Sequence, residues 1–114
     1  MSTIKVDTIQ DAGGVEQFTI KAWCNWQNET NITIRGSGGV SSITDLSTGK
    51  TVLTLNNAAG DVYYHVNFSG SETDTDGAQM FMCQALTTTT QEYQCDNGGG
   101  SPDNLNNNMA TVGY

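Results

Sequence analysis

Few residues in this chain carry reactive chemistry, and their spacing limits what they can do. Asp74-Thr75-Asp76-Gly77 is the one stretch with the look of a metal loop. A calcium loop of the EF-hand type needs an acidic residue first and a bidentate Glu twelfth. Counting Asp74 and Asp76 as third and fifth puts Glu72 first and Cys83 twelfth, so the stretch reads as an acidic hairpin tip in which Gly77 supplies a positive φ. His65 is the sole histidine. A His base needs a nucleophile and an orienting acid in reach, and no G-x-S-x-G signature accompanies it. It reads as a surface or interface residue. Cys24, Cys83 and Cys95 form an odd set without a C-x-x-C pair, and with one His they make a poor zinc set. The opening residues lack a basic region followed by a long apolar stretch, so no secretory leader is expected. The thiols are then expected to be free and buried, Cys24 and Cys83 within strands and Cys95 in a polar loop. The sequons at Asn28, Asn31 and Asn67 are chance matches in an Asn- and Thr-rich chain. No catalytic residue, no metal and no cofactor is expected.

The aromatic residues are more informative. Trp23, Tyr63 and Tyr93 fall on strand faces otherwise made of Thr, Asn and Gln, and are expected to be exposed contact residues. Flat aromatic rings beside amide side chains stack on sugar rings while bonding their hydroxyls. The same chemistry anchors protein interfaces, where Trp and Tyr are enriched. Interface contact is the first reading and a host-surface glycan the second.

Composition narrows the partners. The chain has 114 residues, enough for one domain with its own core. Its net charge is −8, and its four cations, Lys5, Lys21, Arg35 and Lys50, all precede residue 51. Phosphate binding needs clustered cations, so nucleic acid is excluded as a partner. The acidic half is repelled by anionic lipid, and no run near 20 apolar residues exists to insert in a membrane. Only 14% of residues are charged. An uncharged polar surface rich in β-branched Thr suits strands that pack against copies of the chain or other neighbours.

The elements that must position these residues are strands. Phe18, Ile20, Ala22, Cys24 and Trp26 alternate with Thr19, Lys21, Trp23 and Asn25, a period of two. Ile32-Thr33-Ile34 is a second strand, ending at Gly36-Ser37-Gly38-Gly39. Val40–Leu46 and Lys50–Leu55 flank Ser47-Thr48-Gly49, a hairpin with Gly at a positive-φ position and Thr51, Leu53 and Leu55 facing inward. Val62, Tyr64, Val66 and Phe68 form the inward stripe of the next strand. Gln79–Leu86 is apolar on both faces, so it is expected to be central or to lie beneath a neighbouring chain. Thr87–Gln94 is extended, 98–108 a flexible loop, and Met109–Tyr114 a closing strand. No segment has a helical period. The pattern predicts an all-β chain, a single antiparallel β-sandwich of jelly-roll or Ig-like type over residues 18–114, with Phe18, Ile20, Trp26, Leu53, Leu55, Tyr64 and Phe68 as its core. Residues 1–17 precede it as an arm and hinge. Ile4, Val6, Thr8 and Ile9 are the candidate anchor contacts of that arm, and Gly13-Gly14 is its break point.

The opening STIKVDTIQ, with Gly14-Val15 and Lys21-Ala22-Trp23, resembles the start of small structural proteins of marine tailed phages, especially those of cyanobacteria. Val40-Ser41-Ser42-Ile43-Thr44-Asp45 and the Tyr-rich run from Asp61 to Gly70 extend the resemblance over roughly residues 1–70. The chain departs from the pattern at Trp23-Cys24-Asn25-Trp26, where the family is more aliphatic and Phe-rich. The resemblance implies a non-enzymatic virion protein assembled in the host cytoplasm, a tail-fibre or receptor-binding type of adhesion module. The alternative it leaves is a capsid decoration protein, a head knob attached through the N-terminal arm. Other virion proteins are the implied partners. Self-association is expected as well, with a trimer as the first expectation.

Overall fold

In the computed structural model, which describes residues 3, 5, 8–15, 20–29, 31–71, 79–97, 99–105 and 107–113, the alternating pattern becomes eight strands with no helix among the described residues. They are β1 (Ile20–Gln27), β2 (Thr33–Gly38), β3 (Val40–Ser47), β4 (Lys50–Leu55), β5 (His65–Ser71), β6 (Gln79–Leu86), β7 (Thr90–Asn97) and β8 (Asn107–Gly113). Two four-stranded antiparallel sheets, ordered β2-β1-β8-β5 and β3-β4-β7-β6, pack against each other as a β-sandwich. Adjacent strands in sequence form the β1–β2, β3–β4 and β6–β7 pairs. β8 returns along the chain to lie between β1 and β5, so it is an inner strand where the sequence suggested a closing one.

β4 shows most plainly why these residues make strands. Thr51, Leu53 and Leu55 are buried while Lys50, Val52 and Thr54 stay partly open, the alternation that one covered face demands. The turn before it is set by Gly49, whose φ is 73°. A Cβ there would also lie 2.7 Å from the Asp103 amide nitrogen and the Cys95 carbonyl oxygen, so the loop after β7 closes onto the turn only because Gly49 has no side chain. Asn104 completes the contact by accepting the Gly49 N–H at 2.7 Å.

Four rings bridge the two sheets. Trp26 of β1 stacks on Phe68 of β5 with centroids 5.7 Å apart and planes 7° apart. Phe68 meets Phe81 of β6 edge-on at 5.2 Å and Tyr93 of β7 at 5.0 Å, and Tyr93 lies 6.1 Å from Trp26. Ala22, Cys24, Leu53, Leu55, Tyr64, Ala110 and Val112 surround them. Of the predicted core, Trp26, Leu53, Leu55 and Tyr64 are buried and Phe68 is packed against them. Phe18 lies outside the described residues. Ile20 does not belong to the core: it is 60% exposed, because the register of β1 against β8 shifts between Ile20 and Ala22 and breaks the alternation.

Several other expectations are corrected. β6 has the predicted bounds but is an edge strand, paired only with β7 among the described residues, and its two faces are unequal: Phe81 points into the aromatic cluster and Met80 is half exposed. Cys83 is exposed at the rim of the sandwich, and Cys95 is buried within β7 rather than lying in a loop. The segment after β7 is held at both ends. Asn97 Oδ1 accepts the Gly99 and Ser101 amides, and the fully buried Leu105 exchanges backbone and side-chain bonds with Asn28. Asn28 Oδ1 also accepts from Asn108 Nδ2 at 3.2 Å, so a buried amide pair fastens the loop to the sheet. The acidic run 72–78 lies outside the described residues.

Candidate ligand-contact face

Trp23 begins the site. Three positions before Trp26 on β1, it sits on the opposite face of the strand, and cross-strand pairing places it beside Gly38 on β2 and Thr111 on β8. Its ring lies across the glycines of β2. A Cβ on Gly38 would come 2.5 Å from the indole Nε1, and one on Gly36 would come 3.1 Å from Cη2. Glycine at 38 leaves the indole room to lie over the backbone and glycine at 36 spares it a tight contact, an arrangement in which an aromatic ring covers bare strand glycines. The ring remains 41% exposed.

The register extends this into rows across the sheet. Gly38, Trp23, Thr111 and Asn67 align in one row, and Gly36, Asn25, Met109 and Ser69 in the next. Beyond them Asn107 pairs with Ser71. No Asp, Glu, Lys or Arg occurs in these rows; Lys21 lies on β1 toward one end of the face, where Gly113 pairs with His65. The polar groups are held in fixed directions. Asn25 Nδ2 donates to Asn107 Oδ1 at 2.6 Å and to the Asn108 carbonyl at 2.8 Å, which uses both its hydrogens and leaves Oδ1 as an acceptor. Asn107 Nδ2 donates to Ser71 Oγ at 2.9 Å, which leaves the Ser71 hydroxyl to donate.

Tyr63 lies just before β5 and is 90% exposed. Its backbone N–H donates to Asp61 Oδ1 at 2.8 Å, so the loop that presents it is tied locally. A groove of about 480 Å³ runs there, lined by Ala59, Gly60, Asp61, Tyr63, Tyr64, His65 and Gly113. His65 and Gly113 belong to the end row of the sheet, so the groove adjoins the Trp23 face. Tyr64, next in sequence, turns the other way. Its hydroxyl donates to the Thr87 carbonyl at 2.6 Å and accepts from Gln91 Nε2 at 2.9 Å.

Tyr93 is not a contact residue. It is fully buried, its hydroxyl has no hydrogen-bond partner among the described residues, and burial raises its pKa, with the Cys83, Tyr64 and Cys24 side chains adding to the shift. Cys24 and Cys83 are poor nucleophiles. Burial pushes the Cys24 thiol up to about 11, and burial followed by the Glu92 charge raises that of Cys83. Among the described residues no three His, Cys, Asp or Glu side chains come together as a metal-binding group. Of the arm contacts, Thr8 and Ile9 are exposed, whereas Ile4 and Val6 lie outside the described residues. The Gly13-Gly14 break is a defined turn, in which Asp11 Oδ1 accepts the Gly13 and Val15 amides.

Trp23 and Tyr63 are exposed as the sequence suggested, but the amide rows were not legible there, because face-sharing across strands depends on register. The glycine pair 36 and 38, read as turn formers, was the available signal. No protein-family model matches the chain, and neither the curated proteins nor the solved structures contain a match.

Proposed function

We propose that this chain is a non-enzymatic virion structural protein of a tailed bacteriophage, an adhesion module of tail-fibre or receptor-binding type. The observation that carries the reading is the Trp23 face: an aromatic platform laid on glycines and bordered by fixed amides, on a sheet exposed to solvent. Such a surface is made for contact, since burying a large ring would otherwise be the cheaper use of a tryptophan. The resemblance of residues 1–70 to small phage structural proteins supports the virion setting. In this reading the segment 1–17 attaches the body to another virion protein.

Capsid decoration is the second reading, favoured by the β6 edge. That strand offers unpaired backbone groups and the half-exposed Met80 to a neighbouring chain, the kind of edge that calls for cover. A homotrimer would cover it, and sedimentation of the purified chain as a trimer is the expected result.

Gold-labelled antibody against the chain on intact particles tests the assignment. Label confined to the tail tip is expected. Label spread over the head would replace the adhesion reading with decoration, and its absence from purified virions would overturn both. Deleting residues 1–12 is expected to leave a folded body that no longer enters particles. Normal incorporation of that truncation would remove the arm's role.

A further inference from the structure

We infer that the outer face of the β2-β1-β8-β5 sheet binds a neutral glycan chain of the host cell surface, with Trp23 as the stacking platform and Asn25, Ser71, Asn67 and Thr111 as the polar groups that read its hydroxyls. This rests on the adhesion reading and specifies its ligand class.

Three features favour a sugar over a protein partner. A protein interface has a mainly apolar core with the polar groups at its rim. Here the apolar side chains in the central rows are Trp23 and a half-buried Met109, and both are surrounded by amides and hydroxyls. A pyranose has the complementary make-up, an apolar C–H face for the ring and hydroxyls around its edge. The indole is also seated over Gly36 and Gly38, so no side chain at either position competes with a sugar for the ring. Finally, the polar atoms are committed in advance. Asn25 presents an acceptor and Ser71 a donor because their other valences are satisfied within the sheet. Adjacent strands lie about 4.8 Å apart, so these atoms form an array across the strands along which successive sugar units can lie.

Charge selects among glycans. The central rows carry no charged side chain, and the chain as a whole has a net charge of −8. Uronic and sulfated polymers would be repelled by the protein without finding a cluster of cations, whereas a neutral chain meets no such barrier. The groove beside Tyr63 continues from the His65–Gly113 end of the face and can take a further unit or a branch.

The test is an immobilised array of neutral and anionic glycans probed with the purified full-length chain, with Trp23→Ala and Asn67→Glu run in parallel. Thermal midpoints confirm that each variant is folded. Neutral glycans are expected to bind, with affinity falling by about tenfold or more in Trp23→Ala, the scale of one stacking contact together with its buried area. Asn67→Glu adds a charge at an exposed position and should weaken the same glycans, which keeps the test open if Trp23→Ala fails to fold. Binding confined to anionic glycans, or neutral binding unchanged in the folded variants, overturns the inference. A chain that adheres to cells through Trp23 but binds nothing neutral on the array also overturns it while leaving the adhesion reading intact. Failure on both cells and array removes the two together.

Discussion

The two faces of β1 use the same kind of residue for opposite purposes. Trp26 faces inward, stacked on Phe68 and fully buried, and joins the two sheets through a four-ring cluster. Trp23 faces outward on a floor of glycine, with one side of its indole open. Inside, every neighbour is shaped to fill space. Outside, the neighbours in register are small or polar, and Asn25, Asn107 and Ser71 hydrogen-bond to one another along the sheet. The buried ring is marked by the aromatic side chains that meet it, Phe68 and Tyr93, and the exposed one by the glycines of β2 beneath it.

The largest effects should come from the inner face. Trp26→Ala is expected to cost about 3–5 kcal/mol, a large share of the ~5–15 kcal/mol that holds a small domain together. Phe68→Ala should fall at the lower end of that range because its ring is only partly covered. Denaturant titration checks both, and an unchanged midpoint would mean that the cluster does not hold the sheets together. β6 gives a sharper version of the same contrast. Phe81→Asp puts a carboxylate among the rings and should unfold the domain, while Met80→Asp on the outer face should leave it folded and at most disrupt association. If both variants fold and the parent chain is monomeric at micromolar concentration, the face assignment and the proposed oligomer are both wrong.

An intermediate effect is expected at Asn28. Removing its side chain in Asn28→Ala leaves the buried Leu105 amide short of its acceptor, while Asn108 Nδ2 keeps the Trp26 and Leu105 carbonyls, at a cost of about 1–3 kcal/mol. Hydrogen exchange should show the 99–105 segment loosening before the sheets do.

These contrasts were partly legible in the sequence. The period-two runs in β1, in β4 and over 62–68 marked Trp26, Leu53, Leu55, Tyr64 and Phe68 correctly, because covered and open positions alternate there. β7 hid its inward face. Gln91, Tyr93 and Cys95 point in, while Gln94 and Asp96 on the other side are nearly as buried, so both faces read as polar and Tyr93 was placed outside. Gln91 can be buried because it donates to the Tyr64 hydroxyl, a contact made across the sandwich and absent from any local pattern. The outward Trp23 was visible as an anomaly, but its glycine floor depends on a β1–β2 register that includes a bulge between Asn25 and Trp26.

Alkaline pH should expose a smaller inner-face effect. Folding raises the Cys24 thiol from 9.0 to about 11, so the unfolded chain loses that proton first. Stability should accordingly fall as pH rises between those values, and Cys24→Ala should lessen the slope of thermal midpoint against pH. In the native protein a thiol reagent near pH 8 is expected to reach Cys83 first, with Cys24 and Cys95 reacting only after unfolding.

The central claim is that the exposed tryptophan exists for contact while the buried one exists for stability. Its most direct test compares adhesion of the purified chain and of Trp23→Ala to intact cells from a panel of marine cyanobacterial isolates, with the thermal midpoint of each measured alongside. The account predicts that Trp23→Ala changes stability by less than about 1 kcal/mol and loses most of its adhesion. Adhesion equal to that of the parent, in a variant just as stable, would contradict it.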